Sequence, residues 1–340
     1  MKVLRFILFP FAILYDFVTR IRNFFFNIGI FHQTSFKTPV IVVGNLSVGG
    51  TGKTPQIEYL IRLLKNNFKT AVLSRGYKRE TKGFVLLNEN HLAIDVGDEP
   101  LQYFQKFKNI DVAVCANRVK GITNLIKSNT PEVILLDDAF QHRKVKGSFY
   151  ILLTKFDELF MDDFLLPMGR LRESRAGAKR ADVILVTKCP DDLTKESQKL
   201  IKQKLLKFNK EVLFTSISYA ESVLGATEML TSELKNFEVL LITGIANPAP
   251  LLNYLKSSNV KFQHLKYADH HYFSDKEIQE VISKFDTMQS SKIILTTEKD
   301  YVRLVNKIKN VSYLPIETSF LNNDNEVFNR LINSHLKENI

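Results

Sequence analysis

A glycine-rich segment of the chain carries the residue types that a phosphate-binding loop requires. It follows an apolar, β-branched run at residues 38–44, which predicts a buried strand, and it precedes a helical spacing of apolar residues over 53–66. Glycines let backbone N–H groups approach phosphate oxygens, a following lysine reaches the β and γ phosphates, and a threonine hydroxyl ligates Mg²⁺. The predicted nucleotide-binding residues are Ser47, Val48, Gly49, Gly50, Thr51, Gly52, Lys53 and Thr54. Ser47 stands where the general pattern has its first glycine.

A second element of nucleotide chemistry follows at the end of the apolar run Pro131–Leu136, which is read as another buried strand. Asp137 and Asp138 come directly after it. An apolar strand that ends in aspartate is the Walker B arrangement, which holds Mg²⁺. We therefore expect Thr54, Asp137 and Asp138 to form the metal site, and which aspartate ligates directly is left open.

The class of nucleotide enzyme is narrowed by two partial motifs. GTPases read guanine with N-K-x-D, and the segments Thr154–Asp157 and Thr187–Asp191 each match only in part. No guanine specificity is therefore assigned. Val48 stands where partitioning-type ATPases place a lysine, which argues against that subclass.

Further polar residues follow inferred strands and precede a basic loop. Arg75, Asp98 and Arg118 lie at such strand ends, and parallel α/β sheets bind ligands at the carboxyl ends of their strands. The loop 170–180 carries five basic residues and one acidic residue. It lacks the interleaved aromatic residues of a nucleic-acid surface. Contact with the phosphate of a small substrate is the favoured interpretation, and no nucleic-acid partner is expected.

The composition limits the classes of protein to be considered. The chain has 340 residues, of which 45% are hydrophobic and 24% charged, as in ordinary globular proteins. This balance excludes a disordered, collagen-like or polytopic membrane protein. The two cysteines cannot form a disulfide framework, so a reducing compartment is expected. The formal charge of +11 and the 26 phenylalanines indicate an anionic partner.

The first 38 residues contain nine of the phenylalanines and five basic residues against one acidic residue. Their longest uncharged apolar run, Phe6–Tyr15, is shorter than the roughly 20 residues of a membrane span. Asp16 follows this run directly, without the small residues of a signal-peptide cleavage site. An amphipathic helix in the plane of a membrane surface is favoured, and a helix of the protein core is the alternative.

The remaining pattern predicts an α/β fold: a P-loop NTPase-like parallel sheet domain, a second, smaller α/β domain and an N-terminal membrane-associated helix. The predicted ranges are 1–36 for the helical segment, 37–218 for the P-loop domain, 219–228 for a linker and 229–340 for the smaller domain. In the last range Ser274, with Glu277 three residues later, forms a capping-box pattern that predicts the start of a helix.

Short strings along nearly the whole chain resemble, in order, those of the tetraacyldisaccharide 4′-kinase family of lipid A biosynthesis. The two most restricted are Asp137–His142 and Gly169–Glu173. The others are Gly44–Asn45, Gly49–Pro55, Ser74–Tyr77, Gly97–Pro100, Asn117–Arg118, Leu166–Pro167, Asp269–His270 and Thr297–Asp300. Ala139 and Ser174 depart from the residues common in that family, and neither is assigned to chemistry.

The resemblance implies an activity and a set of roles. It implies transfer of the γ-phosphoryl group of ATP, with Mg²⁺, to the 4′-hydroxyl of tetraacyldisaccharide 1-phosphate, forming lipid IVA at the cytoplasmic face of the bacterial inner membrane. Peripheral attachment and a lipid substrate follow from the same resemblance. Asp98 and His270 would form the catalytic acid–base pair, although their separation in the sequence leaves contact unproven. The implied substrate residues are Arg75, Arg118, His142, Arg170, Arg172 and Glu173.

Two other functions are compatible with the residues alone. A P-loop ATPase or GTPase switch that regulates a membrane partner would hydrolyse nucleotide without a lipid acceptor and would not need His270. A non-enzymatic membrane-surface module would bind ATP without turnover.

Overall fold

The computed structural model describes residues 7–288 and 291–339, and within these ranges the chain forms two β-sheets and ten α-helices. The helices are α1 Phe9–Asn27, α2 Lys53–Leu64, α3 Ala93–Val96, α4 Asp98–Lys106, α5 Arg118–Asn129, α6 Lys195–Leu205, α7 Ala249–Ser257, α8 Asp275–Asp286, α9 Glu298–Leu304 and α10 Asp324–Asn339. The strands are β1 Val40–Asn45, β2 Thr70–Ser74, β3 Val85–Leu86, β4 Asp111–Val114, β5 Val133–Leu136, β6 Phe149–Lys155, β7 Val183–Thr187, β8 Glu211–Tyr219, β9 Ser222–Gly225, β10 Met229–Leu230, β11 Glu238–Thr243, β12 Lys261–Lys266, β13 Lys292–Thr297, β14 Val311–Leu314 and β15 Ile316–Phe320.

The larger sheet has nine strands in the order β15-β8-β7-β6-β1-β5-β2-β4-β3. All neighbours are parallel except the two edge strands, since β3 and β15 run antiparallel to β4 and β8. Strands β1, β2, β5 and β7 are buried along their whole length, as continuous apolar runs in a parallel sheet require. The predicted phosphate-binding loop follows β1 and the aspartate pair follows its neighbour β5, so both lie at one edge of this sheet.

The smaller sheet has six strands in the order β10-β9-β14-β13-β11-β12. Strands β12, β11, β13 and β14 are parallel, whereas β9 and β10 add an antiparallel ribbon at the edge. The predicted fold class, a large parallel-sheet unit with a second, smaller α/β unit, is confirmed.

Sheet membership differs from the predicted ranges at two places. Strand β9 belongs to the smaller sheet, although 219–228 was predicted to be a linker. The end of the chain returns to the larger sheet, because β15 pairs with β8 from Ile316↔Tyr219 to Phe320↔Thr215, and Phe328 and Ile332 of α10 join the core of that sheet. The smaller unit therefore stops before β15 rather than at residue 340. The apolar pattern of a strand predicts that it pairs but does not identify its partner.

Two helices join the sheets and so determine which residues face each other between them. Helix α4 follows the larger sheet's β3, and α9 follows β13 of the smaller sheet. At one end of their interface the Lys106 ammonium lies 2.6 Å from a carboxylate oxygen of Glu58 and 2.7 Å from one of Glu298. All three side chains are largely buried, so this ion network joins α2, α4 and α9.

The N-terminal helix α1 is bound to the larger unit by polar contacts. Tyr15 donates a hydrogen bond to the backbone carbonyl of Arg172 at 2.8 Å, and Asn23 donates to Glu173 at 2.8 Å. The helix leaves a row of large apolar side chains exposed, which comprises Phe9, Phe11, Ile13, Leu14, Phe17, Val18, Ile21 and Phe24. Lys2 and Arg5, two of the five basic residues among the first 38, lie outside the described ranges.

No helix within 7–288 or 291–339 combines the length and the hydropathy that crossing a bilayer would need.

Candidate active site

The loop between β1 and α2 has the backbone of an anion-binding site. Gly49 and Gly52 have φ angles of +111° and +82°, which residues other than glycine rarely adopt. A Cβ at Gly49 would meet no atom within 4 Å, so this part of the loop faces open space. Gly52 caps α2 without any side-chain hydrogen bond, which leaves the first amides of the helix available to a ligand. These features fit a phosphate group.

Contacts from neighbouring strands hold this loop in place. Asn45 Nδ2 donates to Thr51 Oγ1 at 2.7 Å, and Thr187 Oγ1 donates to the Thr51 carbonyl at 2.8 Å. The amide of Val48 donates to the carbonyl of Arg170 at 2.8 Å, so the basic loop lies along the phosphate-binding loop. The loop is therefore fixed before any ligand binds, which reduces the ordering cost of binding.

The two aspartates after β5 have opposite environments. Asp137 is buried, and burial together with the charges of Glu99 and Asp138 raises its pKa to about 7. Burial would also raise the pKa of Asp138, but Lys53 and Arg172 hold it below its usual value. A buried carboxyl group facing other carboxylates is a setting in which a bound cation is stabilising.

Polar side chains from α4 and from the start of α2 approach these carboxylates. The Tyr103 hydroxyl lies 3.5 Å from Asp137 Oδ2. The Lys53 ammonium lies 3.8 Å from Asp138 Oδ1. The residues present therefore fit Mg²⁺ beside a nucleotide phosphate, with hard oxygen ligands of the kind that this ion prefers.

Three of the predicted substrate residues are engaged in internal contacts of the site. The two terminal nitrogens of Arg172 donate hydrogen bonds to the two carboxylate oxygens of Asp138, at 3.2 and 2.8 Å. Arg118 is buried and donates to the carbonyls of Cys115 at 2.9 Å and Asp137 at 3.2 Å, and burial lowers its pKa to about 10. These contacts hold the aspartate pair and the backbone around it in place. Arg170 pairs with Glu158 and Asp163, at 2.5 and 3.2 Å.

Glu173 is buried at the base of α1 and accepts three hydrogen bonds. They come from Asn23 at 2.8 Å, Gln141 at 3.0 Å and Arg180 at 2.7 Å. Glu173 therefore connects the N-terminal helix to the loop after the aspartate pair, rather than facing open space.

Arg75 and His142 are the predicted substrate residues whose side chains are least engaged. Arg75 is exposed directly after β2. His142 is partly buried, and its Nε2 has no hydrogen-bond partner within the part of the chain that the structure describes. Burial and the nearby cations Arg118 and Lys144 lower the pKa of His142 to about 4, so its imidazole is neutral at pH 7. It can therefore donate or accept a hydrogen bond without adding charge.

Asp98 and His270, which are 172 residues apart, are in contact. His270 Nδ1 lies 3.0 Å from Asp98 Oδ2. Asp98 is the first residue of α4, on the larger sheet, and His270 follows β12 of the smaller one. Burial would raise the pKa of Asp98, but Arg303 and His270 hold it below its usual value. A carboxylate that orients an imidazole in this way is a common acid–base arrangement.

The loop that carries His270 is fixed by backbone geometry. His270 has a φ of +59°, and its amide donates to the carbonyl of Gly244 at 3.1 Å. The predicted capping box is confirmed, because Ser274 and Glu277 hydrogen-bond reciprocally at the start of α8. The adjacent His271 turns away from Asp98 and lies 2.9 Å from Glu277.

Sequence reasoning missed two cations beside this pair. Arg303 Nε donates to Asp98 Oδ1 at 2.8 Å, and Lys299 Nζ lies 3.0 Å from His270 Nε2. Lys299 belongs to one of the strings that resemble the family, but its position in the sequence does not indicate a role. The available signal was the spacing of two basic residues four apart on a short helix, which places both on one face.

The comparisons with known proteins agree over the whole chain. The sequence profile of the family described as tetraacyldisaccharide-1-P 4′-kinase matches residues 4–337. The tetraacyldisaccharide 4′-kinase of Flavobacterium johnsoniae is 52% identical over 345 residues, covering 100% of this chain and 99% of the relative. That of Flavobacterium psychrophilum is 53% identical over 340 residues, covering 98% and 97%.

A solved structure has the same fold. It is the crystal structure of LpxK from Aquifex aeolicus in complex with ATP, which superposes with a TM-score of 0.80 at 30% identity and covers 98% of this chain and 99% of its own. The match of profile, sequence and fold over the full length leaves one assignment: the chain belongs to the tetraacyldisaccharide-1-P 4′-kinase family and is an ATP-dependent kinase.

Proposed function

We propose that this chain transfers the γ-phosphoryl group of ATP to the 4′-hydroxyl of tetraacyldisaccharide 1-phosphate, which forms lipid IVA. The observation that carries this proposal is the contact between Asp98 and His270, which supplies a candidate acid–base pair in a member of this kinase family. An alcohol acceptor needs such a base, because a free alkoxide is a poor species at neutral pH.

The residues Ser47–Thr54 would bind the nucleotide phosphates through the loop amides and the start of α2. The Lys53 ammonium would stabilise charge that develops on the transferring group. Thr54, Asp137 and Asp138 would hold Mg²⁺, which when bound neutralises phosphate charge and orients the oxygens. The supporting observations are the open glycine loop and the buried carboxyl group of Asp137.

His270 would accept the proton of the acceptor hydroxyl, and Asp98 would stabilise the resulting imidazolium. A carboxylate whose pKa is held below its usual value is a weak base but a good partner for a cation. This division of roles follows from the contact of Asp98 with Nδ1, which leaves Nε2 of the ring facing outward from the pair.

The acceptor would be bound by two kinds of predicted substrate residue. Arg75 and His142 would contact its polar head, because their side chains are the least engaged ones. Arg118, Arg172 and Glu173 would act by holding the metal carboxylates and the loop after them. Arg170, paired with Glu158 and Asp163 at the edge of the basic loop, would contribute to the site through its carbonyl on Val48.

Helix α1 would attach the enzyme to the surface of the bacterial inner membrane from its cytoplasmic face. Its exposed phenylalanines and aliphatic residues form an apolar surface, while Tyr15 and Asn23 bind it to the site. Helices that lie in the membrane plane show this division of faces. The acyl chains of the acceptor would then stay in the bilayer while its sugar head reaches the loop.

The proposed activity is tested by transfer of label from γ-labelled ATP to tetraacyldisaccharide 1-phosphate in detergent micelles. We expect a labelled lipid product that forms only with the acceptor present. If the folded chain binds ATP and yields no labelled lipid, the proposal is wrong. Release of labelled phosphate without acceptor would point instead to an ATPase switch.

The proposed membrane contact predicts the effect of a single charge on α1. Phe17, which is 61% exposed, contributes about 1.5–3 kcal/mol if it is buried in lipid, so Phe17→Glu should weaken vesicle binding about 10–100-fold. The measurement is co-sedimentation with vesicles of phosphatidylcholine and phosphatidylglycerol.

The matched control for the membrane contact is Leu206→Glu, directly after α6, which changes a highly exposed apolar residue (73%) away from α1. It should bind vesicles like the unaltered chain. Equal loss in both variants, or no loss in Phe17→Glu, would contradict the contact through α1.

A further inference from the structure

Helix α9 presents two cations to the Asp98–His270 pair. Lys299 and Arg303 are four residues apart, one turn of the helix, so they share a face. Lys299 Nζ lies 3.0 Å from His270 Nε2, and Arg303 Nε lies 2.8 Å from Asp98 Oδ1. A second nitrogen of the guanidinium, Nη2, contacts Asp98 Oδ2. Both ring nitrogens of the histidine and both oxygens of the aspartate therefore have a neighbour.

The chemistry of these groups fixes where the proton of a neutral His270 resides. A lysine ammonium has hydrogens to donate and no lone pair, so Nε2 must accept the hydrogen bond from Lys299. The neutral ring then carries its proton on Nδ1, which donates it to Asp98. Arg303 Nη2 also lies 3.0 Å from Nδ1 of His270. Because Nη2 and the protonated Nδ1 are both donors, this close contact is not a hydrogen bond.

Arg303 fixes the carboxylate rather than the ring. Its planar fork engages both oxygens of Asp98, an arrangement that combines charge with defined geometry. The side chain of Arg303 is only 10% exposed, and its remaining nitrogen lies 3.5 Å from Asp300 Oδ1, which is fully buried. Asp98 therefore cannot rotate away from His270 without breaking a largely buried ion pair.

The start of α9 also builds the loop that carries His270. Thr297 caps the helix by accepting from the Asp300 amide at 3.2 Å. Asp300 accepts from the amide of Gly244 at 2.8 Å, and the carbonyl of Gly244 accepts from the amide of His270. One short segment, Thr297–Arg303, thus sets both the backbone and the hydrogen bonding of the histidine.

We propose that Lys299 and Arg303 are positioning residues for phosphoryl transfer: Lys299 keeps Nε2 of His270 as the proton acceptor, and Arg303 holds Asp98 as the anion that receives Nδ1–H. This proposal rests on the proposed function. Because Lys299 occupies the acceptor position of Nε2, the substrate hydroxyl must replace it there.

The step balances with the groups named. The proton of the hydroxyl moves to Nε2, its oxygen forms a bond to the γ-phosphorus, and the bond from that phosphorus to the β–γ bridging oxygen breaks. ADP leaves with the electron pair. The imidazolium, held by Asp98 through Nδ1, then releases its Nε2 proton to water, and Lys299 returns to Nε2.

The first test observes the ring without requiring turnover. In ¹⁵N NMR of the full chain labelled at its seven histidines, the His270 resonances are assigned by their loss in His270→Ala. We expect a protonated Nδ1 and an unprotonated Nε2 in the neutral ring. Lys299→Met should move the Nε2 resonance, because the hydrogen bond from the ammonium is lost.

The control is Lys276→Met, which removes an exposed lysine of α8 and should leave the His270 resonances in place. A protonated Nε2 in the unaltered chain would overturn the assignment, as would an Nε2 resonance that stays in place in Lys299→Met. A chain that shows the expected resonances but no labelled lipid would refute the proposed function and leave the hydrogen-bond arrangement standing.

The second test is the pH profile of kcat/KM. Charged or titratable groups that face the pair or its two cations are Arg303, Lys299, Asp269, Asp300 and Tyr77. Arg303→Met should lower kcat about 10²-fold through misplacement of the pair. It should also move the acidic limb to higher pH, since the pKa of Asp98 rises when its strongest cationic partner is lost and burial remains.

Arg303→Lys retains the charge without the fork, so it should recover part of kcat and show an acidic limb between those of the other two enzymes. It also carries the test if Arg303→Met does not fold. A folded variant at position 303 whose acidic limb does not move would overturn the role of Arg303, because a residue that only stabilises the fold would change the melting temperature and the yield instead.

Discussion

Replacing His270 with alanine is expected to lower kcat by about 10²–10⁴-fold, the usual contribution of a positioned general base. In the proposed mechanism the imidazole takes the hydroxyl proton, and the backbone of its loop is fixed by Gly244 rather than by the ring itself. ATP binding should therefore change little. Label transfer to the lipid gives kcat, and a fluorescent ATP analogue gives the affinity for nucleotide.

Asp98→Ala should cause a loss in the same range of about 10²–10⁴-fold, and the double variant should lose little more than either single variant. Groups that act as one unit are lost together when either is removed, and the 3.0 Å contact between Asp98 and Nδ1 makes these two groups a unit. Multiplicative losses in the double variant would contradict coupled action.

His271→Ala is the matched control, because it removes the neighbouring imidazole, which pairs with Glu277 at 2.9 Å instead of Asp98. Its kcat should stay near that of the unaltered enzyme. If His271→Ala loses as much activity as His270→Ala, the loop and not the Asp98 contact is responsible.

The local parts of the site were predictable because their chemistry is contiguous in the sequence. The phosphate-binding loop needs glycines, Lys53 and Thr54 between one strand and one helix, and all of these fall within residues 38–66. The aspartate pair needs only β5 before it. Each pattern contains its own structural context, so the fold had only to bring β1 and β5 together, as neighbouring strands of a parallel sheet.

The parts that depend on two distant elements were not predictable from spacing. The Asp98–His270 contact was inferred from family resemblance alone, and the ion pair of Arg303 with Asp98 was missed. Both contacts join α4 to segments of the smaller unit, the loop after β12 and helix α9. The relative placement of α4 and α9 is set by packing and by the Lys106 network. No residue pattern near α4 or α9 predicts that these two helices pack against each other.

The pattern of charged residues predicted where an anionic site lies better than it predicted what each arginine contacts. Arg118 and Arg172 were predicted to contact substrate. In the structure Arg118 donates to backbone carbonyls, and Arg172 donates to the carboxylate of Asp138. A buried carboxylate site needs compensating cations of its own. A sequence rich in arginine near acidic residues therefore predicts an anionic site without showing which anion each arginine faces.

Lys53→Met is expected to lower kcat by about 10³-fold, because it removes a preorganised cation from the place where phosphoryl charge develops. The side chain lies at the start of α2, and its ammonium is 3.8 Å from Asp138 Oδ1. Arg172 also pairs with Asp138, so the aspartate keeps a cationic partner and the site should remain folded. The loss should therefore appear in turnover and in ATP affinity, rather than in melting temperature.

The control for Lys53→Met is Lys65→Met, which removes a lysine directly after the other end of α2. It should transfer label at nearly the unaltered rate. Lys53→Arg separates charge from shape: the longer, planar guanidinium keeps the charge but not the compact fit of an ammonium to a single phosphate oxygen. We expect it to recover nucleotide binding more than kcat. If Lys53→Met keeps kcat within about tenfold of the unaltered enzyme, the loop amides and the bound metal supply the stabilisation assigned to Lys53.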